Sequence, residues 1–303
     1  MYRWIAVVFA LAVWLGAPVL AGERVKLGYG RLISNDSLLA SRDRWQTGSM
    51  QSSRIRGLSW SGAVPQALGE LLEYRFEAAL VSPQSIRWQR PTDRPFAGAL
   101  SIGLHTHFQR RGIEYALGGD VVFTGPQTGL TDFQTFWHDA LGLATPKPSV
   151  TAQQVGDGIY PTAVFEIGQT YRTGKLAMRP FAELRAGAET LVRSGVDVTF
   201  GTVGQSELLV RDRITGQRYR TVWNDLRGVS LTAGADLAHV THSVFLPESP
   251  GYDIEETRGR VRAGVHWQGR KLSAFYGWTW LSKEFSTQPE GQLVKSIRIK
   301  YDF

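Results

Sequence analysis

Gln134 and His138 lie four residues apart in the segment Leu130-Thr131-Asp132-Phe133-Gln134-Thr135-Phe136-Trp137-His138-Asp139-Ala140-Leu141-Gly142. The Thr131-x-x-Gln134 spacing has the form of a capping box and Gly142 that of a stop signal, so the segment is expected to be a helix. On a helix, residues four apart share a face. An amide would then stand beside an imidazole, a pairing suited to activating water by general-base catalysis. The same two residues serve equally as a capping glutamine and a solvated histidine. Phe133, Trp137 and Leu141 form the adjoining apolar stripe, which is expected to dock on whatever lies beneath. Asn35-Asp36 offers oxygen ligands for a hard cation such as Ca²⁺, or an Asx-turn. Asp43-Arg44-Trp45-Gln46-Thr47-Gly48 follows closely, and Pro91 to Gly98 reads as a rigid turn held by two prolines and an Asp93–Arg94 pair. Ser34 and Ser37 flank Asn35, but nothing in the spacing singles out either as a nucleophile of a Ser-His-Asn hydrolase.

The elements that must position these groups are strands. The chain has 303 residues, 10 Trp, 10 Tyr, 14 Phe and no Cys, which removes disulfides, thiolate metal sites and cysteine nucleophiles. A mean hydropathy of −0.18 excludes a bundle of membrane helices but not a β-barrel, whose lipid-facing residues are diluted by polar ones. The dominant signal is a period of two. In 258–268, Val261, Ala263, Val265 and Trp267 alternate with Arg258, Arg260, Arg262, Gly264, His266 and Gln268. Twelve such strands are expected, near 24–32, 52–62, 71–82, 98–109, 112–123, 159–170, 176–187, 192–203, 227–240, 256–268, 271–282 and 292–303. A slip of phase between Ile55 and Leu58 suggests a bulge in the second.

Apolar residues could face either the interior of a soluble barrel or lipid. Aromatics near strand ends (Tyr74, Tyr115, Phe123, Trp267, Trp278, Trp280 and Tyr301) favour lipid. So does a polar face of mixed sign, with Glu73, Arg75, Glu77, Glu114, Asp120, Glu166, Arg179, Glu183, Arg185 and Asp236 able to pair across a narrow lumen. The terminal Tyr301-Asp302-Phe303 resembles the sorting signal of outer-membrane barrels. The expected fold is all-β: a twelve-stranded antiparallel transmembrane β-barrel with one short extracellular-loop α-helix.

Residues 1–21 read as a signal peptide, leaving 22–303 as one barrel domain of a bacterial outer membrane. Removal of that segment takes only Arg3 from the net charge of +7, and the remaining positive charge points to anionic lipid and phosphorylated glycolipid rather than nucleic acid. With the N-terminus in the periplasm, 33–51, 83–97, 124–158, 188–191, 241–255 and 283–291 become outer connections. Residues 204–226 break the pattern as a long hairpin extension on the periplasmic side, with a turn at Thr215-Gly216.

Asn35-Asp36, the Asp43 to Gly48 stretch, Asp93 to Gly98, and Gly125-Pro126…Phe133-Gln134…His138…Gly142 together resemble the lipid A 3′-O-deacylase (LpxR-type) family of outer-membrane barrels. The resemblance runs in order over most of the chain, up to the Trp278 to Phe285 strand. It implies Ca²⁺-dependent hydrolysis of the ester-linked 3′ acyl chain of lipid A, in a site between the barrel wall and an outer-loop helix on the extracellular side. His138 matches the catalytic histidine, Gln134 the helix glutamine, Asn35 and Asp36 the calcium-associated pair, and Thr47 a hydroxyl lining the site. The family's second-loop lysine has no lysine counterpart, and Arg87 or Arg90 stands in its region as the substrate-binding candidate. The acidic residue expected six positions after the histidine is Ala144. The implied partners are lipopolysaccharide and outer-membrane lipids, and a monomer is expected. A passive porin and a catalytically impaired deacylase-like barrel are the rival readings.

Overall fold

The computed structural model describes residues 23–36 and 44–301. The expected signal segment, Ser37, Asp43 and the terminal Phe303 lie outside the described residues. Within these residues, alternation of side chains builds fifteen strands. The first six are β1 (Val25–Asn35), β2 (Trp45–Gly57), β3 (Leu72–Ser82), β4 (Ala97–Arg110), β5 (Ile113–Thr124) and β6 (Gly158–Gly168). The next five are β7 (Tyr171–Thr173), β8 (Leu176–Ala186), β9 (Glu189–Gly201), β10 (Leu208–Arg211) and β11 (Arg218–Val222). β12 (Gly228–Ser243), β13 (Thr257–Gln268), β14 (Leu272–Leu281) and β15 (Gln292–Tyr301) complete the set. Two helices, α1 (Leu130–Ala140) and the single turn α2 (Pro148–Thr151), lie in the β5–β6 connection.

Each of β1 to β5 pairs antiparallel with the next. β6 pairs with β8, β8 with β9, β9 with β12, β12 to β15 follow in turn, and β15 returns to β1. The short β7 prolongs the β6 edge along β8, so the wall is a closed barrel of twelve antiparallel staves. Closure removes the free edges that a bilayer cannot satisfy. Ile102, Ile159, Leu237 and Ile299 stand outward, each about 60% exposed or more, while Glu73, Glu183, Arg260 and Asp236 are buried inside. Apolar residues therefore face lipid and charges face the lumen, where both signs do pair. Arg179 meets Glu114 and Glu166 at 2.7 Å each, and Asp236 meets Arg193, Arg260 and Arg262.

One end of the barrel is closed by short turns at Arg111-Gly112, Gly174-Lys175 and Gly269 to Lys271. That end also holds the 58–71 connection and the base of the 204–226 segment, while the other, the loop end, carries the 83–96, 125–157 and 244–256 connections and both helices.

The second strand departs from expectation. It starts at Trp45 and stops at Gly57, so there is no bulge between Ile55 and Leu58. Register shifts fall instead between Lys26 and Gly28 and between Gln46 and Gly48. Ile55 points inward and Arg54 and Arg56 outward, reversing the usual polarity of the wall. The reason is that part of the lumen is apolar: Leu32, Ile55, Leu71, Leu208, Val210, Tyr219, Val222 and Phe275 form one buried cluster.

Half of that cluster belongs to the 204–226 segment, which is a hairpin of β10 and β11 as expected but is not an extension away from the barrel. It is folded into the lumen. Arg211 pairs with Glu166 and Asp197, and Arg213 with Glu77 and Glu189. Tyr219 exchanges hydrogen bonds with Ser53 at 2.6 Å and Gln51 at 3.1 Å, and Gln217 donates to the carbonyl oxygens of Ala263 and Trp278. Wall glycines allow this approach, since a Cβ on Gly28 would lie 2.1 Å from the Thr221 carbonyl oxygen. The hairpin also caulks the seam. The β1–β15 ladder comprises Ile33–Ile297, Ser34–Ser296 and Asn35–Lys295, and towards the short-turn end Tyr29 instead accepts a hydrogen bond from the Trp223 indole at 3.2 Å.

Candidate active site

The sequence-predicted residues all lie at the loop end: Asn35, Asp36 and Thr47 at β1 and β2, Gln134 and His138 on α1, and Arg87 and Arg90 in the β3–β4 connection. Asn35 ends β1, in register with Gly48 and Lys295. The adjacent Asp36 is buried, and its Oδ2 accepts hydrogen bonds from the Arg44 N–H at 3.0 Å and the Gln292 amide at 3.1 Å. Thr47 lies within β2 rather than in a loop, at the irregularity in the β2–β3 register, where its hydroxyl is 2.7 Å from that of Ser82. Trp45 enters the strand with φ of 54° and is covered by the Arg44 guanidinium at 4.4 Å.

Helix α1 lies across the loop ends of β3 and β4. Gly98 on β4 makes room, because a Cβ there would come within 2.8 Å of the Thr128 hydroxyl. The capping box does not form: Gly129 in the left-handed conformation is the N-cap, and the Thr131 hydroxyl donates to Gln154 instead. Gly142 does stop the helix, with φ of 67°. The apolar stripe is also reversed. Phe133, Trp137 and Leu141 are 46–65% exposed, and the residue of α1 turned to the rim is Gln134.

His138 is held by its own helix end. Its Nδ1 lies 2.6 Å from the Ala144 carbonyl oxygen. A carbonyl only accepts, so Nδ1 donates in this contact, and in a neutral ring Nε2 is then the acceptor nitrogen. The backbone at Ala144 thus orients the ring where the family pattern places a carboxylate.

Arg87 and Arg90 are exposed in the 83–96 loop. Among the described residues neither guanidinium forms a hydrogen bond or ion pair with Asn35, Asp36, Thr47 or His138. This loop is braced by Lys147 N–H donating to the Ile86 carbonyl at 2.9 Å. The expected Asp93–Arg94 side-chain pair is absent. Asp93 accepts from the N–H groups of Gln84 and Arg94, its carboxyl pushed up by burial against those bonds, and the Arg94 guanidinium pairs with Glu284.

Gln292 and Ser82 escaped sequence reasoning. Each is a buried polar residue at a strand's loop end, a pattern readable in principle, but the partners lie 256 and 35 residues away. A cavity of about 1110 Å³ opens elsewhere on the loop-end rim, between 153–157 and 241–256, and none of the predicted site residues lines it.

The donor set bears on a cation. Among the described residues no cluster of three or more His, Cys, Asp or Glu stands ready for a metal. Asp36, Asn35 and Thr47 are nonetheless all oxygen donors, a hard set of one carboxylate and neutral groups compatible with Ca²⁺ supplemented by water.

A closed barrel of this kind, apolar outside, ion-paired inside and with a loop helix on one rim, defines an outer-membrane β-barrel protein. The family described as outer membrane protein LpxR matches residues 5–303, and the chain belongs to that family. Among solved structures, LpxR from Salmonella typhimurium superposes with a TM-score of 0.74 at 17% identity, covering 91% of this chain and 100% of that one. The β domain of the Bordetella autotransporter BrkA reaches a TM-score of 0.43 at 12% identity, over 92% and 99% of the two chains. No curated protein sequence matches the chain.

Proposed function

We propose that this protein is an outer-membrane esterase that hydrolyses the 3′-O-linked acyl chain of lipid A, with the loop end facing outward. The orientation is supported by the short turns gathered at the opposite end, the periplasmic habit of such barrels. The observation that carries the activity is the Nδ1–H of His138 donating to Ala144, on a helix whose Gln134 is buried against the rim that bears Asp36 and Thr47.

In this reading Nε2 of His138 takes a proton from water as the water oxygen attacks the ester carbonyl, and returns it to the departing sugar oxygen. Gln134 and Thr47 orient water and ester. Asp36 and Asn35 are the residues that would hold Ca²⁺, which when bound polarises the carbonyl. Arg87 and Arg90, exposed at the rim, are suited to lipid A phosphates. The Ala144 carbonyl holds the ring through Nδ1 and so sets which nitrogen faces the substrate. A passive pore is disfavoured by the hairpin occupying the lumen.

Mass spectrometry of lipid A from cells producing the chain tests this. One 3′ acyl chain should be lost, and His138→Asn should leave lipid A intact. Unaltered lipid A with a folded, surface-exposed barrel would overturn the proposal.

A further inference from the structure

The outward face of β1 and β2 near the short-turn end is basic. Lys26, Arg31, Arg54 and Arg56 are all exposed there, and among the described residues none of them has an ion-pair partner. The outward positions of β1, β2 and β3 include no acid: Tyr29 and Ile33 on β1, Met50 and Ser52 on β2, Tyr74 and Ala78 on β3. Lys26 and Arg56 are direct cross-strand partners, a like-charge pairing that opposes strand association unless an anion lies between. Arg54 is flanked in register by Tyr29 on one side and Tyr74 on the other, both exposed aromatics of the kind that mark a headgroup boundary.

Depth follows from the register. Arg56 and Arg54 stand one and three residues from the end of β2, so within about 10 Å of it along the strand. Arg31 starts deeper, six residues into β1, but its guanidinium lies 6.0 Å from the Tyr29 ring, two residues nearer the short-turn end. That reach is a snorkel towards the same level. Four cations and two tyrosines therefore gather at one height on a lipid-facing wall that carries no acid. Arginine on such a face is penalised more the deeper it lies, and a bound anion offsets the penalty.

We infer that this wall is a binding site for an anionic glycerophospholipid headgroup of the periplasmic leaflet, its phosphate held by Arg54, Arg56 and Arg31. The leaflet assignment rests on the orientation given under the proposed function; the binding itself is independent of ester hydrolysis.

The test uses the folded full barrel in nanodiscs of equal phosphatidylglycerol and phosphatidylcholine, with retained lipids counted by native mass spectrometry. One basic group near an anionic surface is worth a factor of about five, so phosphatidylglycerol should exceed phosphatidylcholine by about tenfold or more. Arg31→Gln/Arg54→Gln/Arg56→Gln should bring the ratio near one, and the corresponding triple Lys variant should keep the preference. Equal retention by the parent chain, or a Gln variant that retains the preference, overturns the inference. So does preferential retention of lipid A when it replaces half of the phosphatidylglycerol, or a two-chain mass that the Gln substitutions reduce to one chain, which would assign the wall to a protein contact. Should the Gln variant not show heat-modifiable migration, a salt series on the parent decides: the preference must fall as salt screens the contact, and a salt-independent ratio refutes it.

Discussion

The pair Glu207–Arg220 offers a sharp test of the lumenal hairpin. It bridges β10's approach to β11, with Glu207 0% and Arg220 1% exposed at the side chain. Both guanidinium contacts go to the one carboxylate, which also accepts the Asn224 N–H at 3.0 Å. Glu207→Ala therefore strands a buried cation and a backbone donor together. Removing one partner of a buried pair costs about 3–5 kcal/mol, and the Trp223 ring 4.1 Å from the guanidinium carbon restores only a part. At about 1.4 kcal/mol per tenfold change, the released-hairpin population should rise about 10²- to 10³-fold. Replacing both partners by apolar residues of similar bulk, Glu207→Leu/Arg220→Met, should recover most of the loss. Urea unfolding in detergent gives the global term. Tryptic cleavage at Arg211, Arg213 and Arg218, protected while the hairpin is seated, gives the local one. A single substitution within about 0.5 kcal/mol of the parent, or a double variant as unstable as the sum of the two singles, would refute the reasoning.

His138→Asn should lower turnover about 10²- to 10⁴-fold with heat-modifiable migration unchanged, which a purified-enzyme assay on lipid A reads. Asp36→Ala, or excess chelator, should abolish turnover while leaving the barrel folded, and full activity in chelator would exclude the cation. An epitope at Pro146-Lys147-Pro148 should be reachable on intact cells and one at Thr173-Gly174 should not.

The wall was legible because lipid outside and charge inside impose a strict period of two, and eleven of the expected strands needed only end corrections. β2 misled because its inward neighbours are the apolar residues of the hairpin, so Ile55 and Arg54 exchange the faces that a water-filled lumen would give them. Nothing local reports that. The 204–226 segment announced a turn, but its destination depends on Glu77, Glu166, Glu189 and Asp197, scattered over three staves. At the candidate site, the Gln134 and His138 spacing was readable and the helix formed. Its facing was not, since a Thr-x-x-Gln signal and an aromatic stripe look the same whether the stripe meets a wall or is left exposed. The Ala144 contact was invisible for another reason: a backbone carbonyl leaves no mark in residue types.

The seam has a consequence for how the molecule comes together and comes apart. Among the described residues the first and last staves share a ladder only near the loop end, while below it Trp223 donates a hydrogen bond to Tyr29 and its ring centre lies 3.6 Å from the Arg298 guanidinium carbon. The wall cannot zip shut along that line without the hairpin already seated, because the hairpin supplies part of the join. Assembly then becomes ordered, with contacts between residues 29 and 223 preceding circumferential closure, and the long sequence separations make it slow. Under load or in denaturant the same line is where the cylinder parts first, making the hairpin a keystone for the circumference as well as a stopper for the bore.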